Sequence, residues 1–583
     1  MSKITFLYSD ETETQKSKKF EFEYTGKSRL YDIFTQLNGN HDLSHVDFPC
    51  GGKGTCRKCK VVITLGMENV SPLTEAEIKY LTEAEIAAGT RFACMCEVWG
   101  DIVIDVSDVT KSGEMSGKTV KKMRIQTEGM QTQTLISDKN KNEDRIKFEE
   151  SVEVYGVAVD IGTTTVAAYL CRLNDGEIID IGAVENPQRI YGADVISRIN
   201  YTIENEANQE GLNTLKKTIL SSIFKLIDTM CGENNISQKD IHAIVLTGNT
   251  VMQHLAAGIA PKSIAFAPFT APTLFDYEIK LGGLIADTGI QTEIDEDIEI
   301  YFPPAFASYV GGDIATGIIA SDTDLTEKTR LFLDIGTNGE IGFGNRDKLI
   351  FCATAAGPAF EGANIKLGLP GVDGAVNKIY IDEGGELAYT VIGGVKPIGI
   401  CGSGVIDITA LMLEIGAIDE TGRIIDADEV DELDELDGKY KNLYDRLDEI
   451  DGENVFYIDK KFDIYITQKD IREIQLAKAA ICAGIITLLH YSDKTLEQVE
   501  ELVLAGGFGA KIDKKSACKI GLIPAELEEK INIAGNTAGM GAVAVLVNSA
   551  AKSRIKKVRD ISEYIELSGD SFFMDEYIDR MMF

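Results

Sequence analysis

The feature that most limits how this chain can fold is an internal echo. VYGVAVDIGTTTVAAYL (154–170) and TRLFLDIGTNGEIGFG (329–344) each read as an apolar strand, an Asp-Ile-Gly-Thr turn and a second strand. A second pair follows, because IVLTGNT (244–250) and LVLAGGFG (502–509) each carry a buried-type strand into glycine. Two halves built on one plan predict a duplicated α/β domain over 151–550, with lobes at about 151–325 and 326–550. The interval from hairpin to glycine-ended strand is about twice as long in the second half, which predicts insertions there. One is the acidic segment DADEVDELDELDGKYKNLYDRLDEIDGE (426–453), read as a solvated face. Residues 551–583 read as a C-terminal extension.

The paired turns have the chemistry of phosphate handling. Gly162, Thr163, Thr164 and Thr165 in one turn, and Gly336, Thr337, Asn338 and Gly339 in the other, offer backbone N–H groups and hydroxyls to polyphosphate oxygens. Asp160 and Asp334, at the two strand ends, can hold a hydrated magnesium ion, since magnesium keeps several of its waters. Gly506, Gly507 and Gly509 would let the backbone pass close to an adenine ring. Gly248 and Asn249, and the segment GNTAGMGA (535–542), occupy the connecting positions. A single DIGT turn would say little; the ordered set points to a nucleotide cleft. CATAAGPAFEGANI (352–365) and ICGSGVID (400–407), both rich in small residues, fit either the partner or γ-phosphate side of such a cleft or close packing of backbone.

The N-terminal hundred residues differ from the rest. They hold 12 basic and 14 acidic side chains, whereas the chain has a net charge of −35. Cys50, Cys56 and Cys59 lie in the glycine-rich FPCGGKGTCRKCK, and Cys94 follows in TRFACMC. Three thiolates from one loop and a fourth from a distant strand suit a two-iron, two-sulfur cluster, with Gly51, Gly52 and Gly54 allowing the loop to wrap it. A tetrahedral zinc site is the competing reading, although such sites usually pair two short cysteine couples. Cys96 is an alternative to Cys94, because the two would share one face of a strand. KITFLYS, KFEFEYT, KVVITLG and DIVIDVS read as strands, and SPLTEAEIKYLTEAEIAAG as capped helical turns. His41 and His45 read as loop residues, and Phe48, Phe92 and Trp99 as core. The polar stretch 107–150 reads either as a tether that would let the cluster domain swing or as a passive spacer. The other cysteines, 171, 231, 352, 401, 482 and 518, read as buried thiols.

A surface this acidic repels phosphate backbones and anionic lipid, so neither nucleic acid nor membrane is expected as a partner. No apolar run reaches the roughly 18 residues of a bilayer span, and no signal peptide is evident. A cytoplasmic location is the expectation.

Residues 1–106 resemble the adrenodoxin-like ferredoxin domains, in which five residues separate the first two ligands. That resemblance implies a β-grasp fold and one-electron transfer. Residues 151–550 resemble the superfamily of acetate and sugar kinases, heat-shock chaperones and actin, which implies an ATP cleft between two lobes that open and close. The whole order, carried by FPCGGKGTCRKC, VDIGTTT, DIGTNGE, CATAAGPAFEGANI, ICGSGVID and LAGGFG, resembles the reductive activators of corrinoid proteins. The architecture expected is therefore multidomain, α+β then α/β. The resemblance implies an electron passed from the 2Fe–2S cluster to a Co(II) corrinoid, restoring Co(I), with ATP and Mg2+ supporting the step. It also implies a low-potential electron donor, a corrinoid protein partner and a homodimer. Some relatives have a folded middle domain, for which the 107–150 stretch is too short and polar. Two other classes compete: a small-molecule kinase with a regulatory redox domain, and a chaperone-like ATPase with a structural cluster.

Overall fold

Period-two alternation in the N-terminal segment gives each strand one apolar face, and a helix covers it. The computed structural model describes residues 2–9, 17–37, 59–106, 153–430 and 438–583. In the N-terminal unit a five-stranded sheet runs Ser17–Tyr24, Ser2–Ser9, Ile102–Asp105, Lys60–Leu65, Thr90–Phe92. Ser2–Ser9 and Ile102–Asp105 pair in parallel and the other neighbours antiparallel. Ile4, Phe6, Val61, Ile63 and Ile104 point to one side and pack with Leu30, Ile33, Phe34 and Leu37 of the helix Leu30–Leu37. The two helical turns Glu75–Tyr80 and Glu83–Ala87 each start with a capping box, Thr74 with Glu77 and Thr82 with Glu85. Glu77 is fully buried and accepts from Arg91 Nε at 2.8 Å and from the Phe92 N–H at 3.0 Å. This ion pair ties the turn Glu75–Tyr80 to the strand leading into Cys94. Phe92 is core as predicted, but Trp99 is 40% exposed beside Lys27. Phe48, His41, His45, the cluster-loop glycines, Cys50, Cys56 and the 107–150 stretch lie outside the described residues.

The predicted duplication is present. In the first lobe the hairpin Tyr155–Ile161 and Thr165–Arg172 is extended by Ile178–Glu185, and Tyr155–Ile161 pairs in parallel with Ile241–Gly248. In the second, Arg330–Ile335 and Gly339–Gly344 are extended by Leu349–Thr354, and Arg330–Ile335 pairs in parallel with Glu501–Ala505. Each sheet then adds one more parallel strand, Glu299–Phe302 or Ile531–Gly535. The helix after each of these, Gly312–Ala320 and Thr537–Val547, lies between the sheets. Small residues set their distance: a Cβ on Gly541 would stand 1.9 Å from the Thr316 carbonyl oxygen, and one on Gly539 2.4 Å from the Tyr169 ring.

Two expectations need correction. The acidic segment 426–453 is not simply a solvated face. Residues 431–437 lie outside the described residues, but Tyr440, Leu443, Tyr444 and Leu447 are buried, and Leu447–Ile450 pairs with Glu453–Asp459, which pairs with Ile464–Thr467. This small sheet feeds the helix Gln468–Tyr491, which is long and apolar enough to cross a membrane by length and composition, but 78% of its most apolar 18-residue stretch is buried in the lobe. Nor are residues 551–583 an appendage. Ser562–Tyr564 extends the second sheet along Leu349–Thr354, and the helix Ser571–Asp579 packs on Gln468–Tyr491, with the Phe572 and His490 rings 3.9 Å apart. All six cysteines predicted to be buried thiols are buried.

Candidate functional site

The two Asp-Ile-Gly-Thr turns face one cleft, each closed by a main-chain hydrogen bond from its glycine. Gly162 N–H donates to the Thr165 carbonyl at 3.0 Å, and Gly336 N–H to the Asn338 carbonyl at 2.9 Å. A Cβ on Gly162 would meet the Thr165 carbonyl at 2.5 Å, so this turn admits no side chain. The first turn is braced from outside by residues not singled out in the sequence. Asn186 donates to the Gly162 carbonyl at 2.8 Å, and Arg198, fully buried, donates to the Thr163 carbonyl at 2.5 Å. Gly248 (φ +155°) passes 2.6 Å, measured from a built Cβ, from the Ile161 carbonyl. That approach lets Asn249 donate to Thr163 Oγ1 at 3.0 Å while capping the helix Thr250–Ala257.

His254 on that helix is fully buried, its Nδ1 2.6 Å from the Thr250 carbonyl and its Nε2 accepting the Thr273 N–H at 3.4 Å. Burial pushes it down to about 4, so it is a neutral Nδ1–H tautomer. The unfolded chain protonates first as pH falls, so this contribution is whole above pH 6.5 and lost on the way to 4. About 2 kcal/mol should be gone by pH 5. Urea unfolding of native protein and His254→Gln at pH 7.5 and 5 reads this as a difference, and equal pH slopes would contradict it.

Asp160 and Asp334 meet across the cleft, joined by two acids missed in the sequence, Asp313 of GGDIATG and Glu340 of DIGTNGE. Desolvation first, and mutual repulsion second, hold Asp334 up at about 7 and Asp313 at about 8, with Glu340 well above the usual range. Asp160 stands at about 6, raised by desolvation and restrained by the hydrogen bond from Asn536 Nδ2 at 3.1 Å. These carboxylates feel one another's charge without forming a ready ligand set, and the Tyr169 hydroxyl, buried near Asp160, and Thr537 Oγ1 have no hydrogen-bond partner within the protein. Orphan hydroxyls beside acids fit the waters of a hydrated magnesium ion.

The remaining glycines divide. Gly506 (φ +82°) is required because a Cβ would stand 2.4 Å from Asp334 Oδ1; Gly509 packs on Leu504 and Gly339 on Thr354 and Ile481, while Gly507 faces open space. Of the two small-residue loops, ICGSGVID is packing: a Cβ on Gly402 would meet the Phe360 carbonyl at 1.8 Å, and Cys401 and Ser403 are buried. The other reaches the cleft through Glu361, which accepts from Thr164 Oγ1 at 2.7 Å and Thr337 Oγ1 at 3.1 Å.

In the N-terminal unit Cys59 and Cys94 are buried with their Sγ atoms 3.2 Å apart, and the Ala93 N–H donates to the Cys59 carbonyl at 2.8 Å. Two thiolates on one metal at ~2.3 Å sit about 3.8 Å apart, so the pair fits half of a four-cysteine set. Cys50 and Cys56 lie outside the described residues, and no cluster of three or more metal-ligating side chains occurs among the described residues. Cys94 is not on a strand. Ala93–Met95 is a 3-10 turn, so Cys94 and Cys96 do not share a strand face, and the Cys96 thiol is directed to Ser71 and Arg91. The turn also connects outward. Arg29 Nη2 donates to the Cys94 carbonyl at 2.9 Å, and two residues on, the Tyr31 hydroxyl donates to the Ile190 carbonyl of the first lobe at 3.3 Å.

Fold and site thus define a two-lobed α/β protein with a phosphate-type cleft, carrying a mixed-sheet unit that presents a close cysteine pair. Residues 328–583 match the family described as the C-terminal domain of RACo, the ASKHA domain, and residues 155–326 match the RACo middle region. The chain is 31% identical over 574 residues, 92% of its length and 93% of the other's, to the corrinoid activation enzyme RamQ of Eubacterium limosum. It is 23% identical over 439 residues, 71% and 73% of the two lengths, to a [Co(II) methylated amine-specific corrinoid protein] reductase of Methanosarcina barkeri. A solved reductive activator for corrinoid, iron-sulfur protein superposes with a TM-score of 0.64 at 30% identity, over 100% of this chain and 98% of that one. The chain belongs to the family of reductive activators of corrinoid proteins. Its middle region, for which residues 107–150 looked too short, is the first lobe itself.

Proposed function

We propose that this protein reactivates a corrinoid protein by passing one electron to its Co(II) corrinoid, restoring Co(I), and that ATP bound with Mg2+ between the lobes makes the transfer possible. The observation that carries this reading is the path from the cysteine turn to the phosphate turn: Arg29 donates to the Cys94 carbonyl and lies over the Tyr31 ring, Tyr31 reaches Ile190 of the 3-10 turn Pro187–Tyr191, and Asn186, which caps that turn, and Arg198 hold the Gly162 and Thr163 carbonyls. The helix-on-mixed-sheet unit and the Cys59–Cys94 pair support a ferredoxin-type centre completed by Cys50 and Cys56. A two-iron cluster held there supplies one-electron transfer.

Energetics explain why a nucleotide clamp belongs beside such a centre. An acceptor about 120 mV more negative than its donor is reduced only to about 1%, because each tenfold costs ~59 mV. Closure that binds the corrinoid partner in a more reducible form lifts that limit by its differential affinity for the two forms. In this reading Thr163, Thr164, Thr337 and the turn amides hold polyphosphate, Asp160 and Asp334 hold the hydrated cation, and Tyr31 passes lobe movement to the cysteine turn.

The test mixes the iron-loaded protein with a Co(II) corrinoid protein and a low-potential reductant, following Co(I) absorbance. Co(I) should form at least tenfold faster with Mg-ATP. Equal rates with and without nucleotide would overturn the reading.

A further inference from the structure

One loop touches both Asp-Ile-Gly-Thr turns and the GGFG segment, and two of its neighbouring residues do so. The 3-10 turn Pro358–Glu361 is flanked by Gly357 (φ +79°), which faces open space, and Gly362 (φ +80°), where a Cβ would stand 2.4 Å from the Leu369 carbonyl oxygen, so its position is fixed by packing. Phe360 stacks on Phe508 of the GGFG segment, with centroids 5.6 Å apart and planes at 14°. Glu361 takes the hydroxyl of Thr164 in the first lobe and of Thr337 in the second, one with each carboxylate oxygen. The buried Arg198 guanidinium is close enough to feel its charge.

We infer that Glu361 is a phosphate mimic that latches the two lobes: its carboxylate and the terminal phosphate of a nucleotide compete for the same two threonine hydroxyls. This rests on the nucleotide reading above and adds how the cleft reports its contents. The chemistry is that of like anions. Each hydroxyl has one proton to donate, so Thr164 and Thr337 cannot serve a carboxylate and a phosphate oxygen together. Arg198, which feels the charge of Glu361, is held by the Thr163 carbonyl. A triphosphate drawn to that corner therefore expels the carboxylate, which turns away about its own side-chain bonds while Ala359 and Phe360 stay buried in the second lobe.

The experiment measures binding of adenosine, AMP and the magnesium complex of a non-hydrolysable ATP analogue to the full-length, iron-loaded protein, native and as Glu361→Gln and Glu361→Ala. Thermal unfolding verifies that each variant folds. The triphosphate analogue should bind at least fivefold more tightly to Glu361→Gln and about tenfold more tightly to Glu361→Ala, while adenosine and AMP change less than twofold. Unchanged or weaker analogue binding to the variants overturns the latch and leaves Glu361 as a ligand or base for bound nucleotide. If the native protein and both variants bind no nucleotide, the ATP reading itself falls and the latch with it.

Discussion

Cys94→Ser should bleach the protein and abolish corrinoid reduction, while Cys96→Ser should leave both in place. Both thiols are buried, so burial cannot distinguish them; direction does. Cys94 Sγ faces Cys59 Sγ at 3.2 Å, whereas Cys96 faces Ser71 and Arg91. Losing one of four thiolates opens an iron to exchange, and the expected fall in electron delivery is more than 100-fold, or about 2.7 kcal/mol of barrier. A hydroxyl at position 96 can keep the Ser71 hydrogen bond, so its cost in stability should stay near 1 kcal/mol. Iron content, the visible spectrum and one-electron titration check the pair. A brown, reducible Cys94→Ser protein beside a colourless Cys96→Ser protein would reverse the assignment.

Asp334→Asn should lose nucleotide-dependent activity by at least 100-fold and yet unfold at higher temperature above pH 7 without magnesium. The two effects have one origin. Asp334, held up at about 7 by desolvation and by Asp160, is more easily protonated in the folded protein than in the unfolded chain. Its stabilising contribution is therefore complete at low pH and disappears as pH rises through about 7. Asparagine removes that charge, and since the site touches solvent the gain should be on the order of 1 kcal/mol. Asp160→Asn should behave similarly, with a smaller gain because Asn536 already stabilises its carboxylate. A purely structural aspartate would lose stability on substitution, so a variant that is both less stable and fully active would reject the cation-holding role. Melting curves at pH 6 and 8, with and without Mg2+, and ATP-driven corrinoid reduction separate the cases.

Much of this architecture is written in local sequence. The repeated strand, Asp-Ile-Gly-Thr, strand pattern predicts two hairpins, and both form, since a Gly turn closed by a main-chain hydrogen bond needs only neighbours in sequence. The capping boxes at Thr74 and Thr82 are legible for the same reason. What escaped notice is mostly long-range. Arg198 and Asn186 gain their roles only because the chain returns beneath the first turn, and Asp313 only because the helix Gly312–Ala320 lies between the sheets, whereas Glu340 is the cross-strand partner of Asp334 in a local hairpin and was within reach of the sequence.

By itself the sequence determined the duplicated α/β plan, the paired turns, the N-terminal strands and the buried state of six cysteines, all set by periodicity and nearest neighbours. Only the tertiary structure decided that Cys94 rather than Cys96 faces Cys59, that Glu361 of one small-residue loop enters the cleft while the other loop merely packs, and that residues 551–583 complete the second lobe. Those outcomes depend on where a side chain points after distant segments meet, and direction in space is not encoded by spacing along the chain.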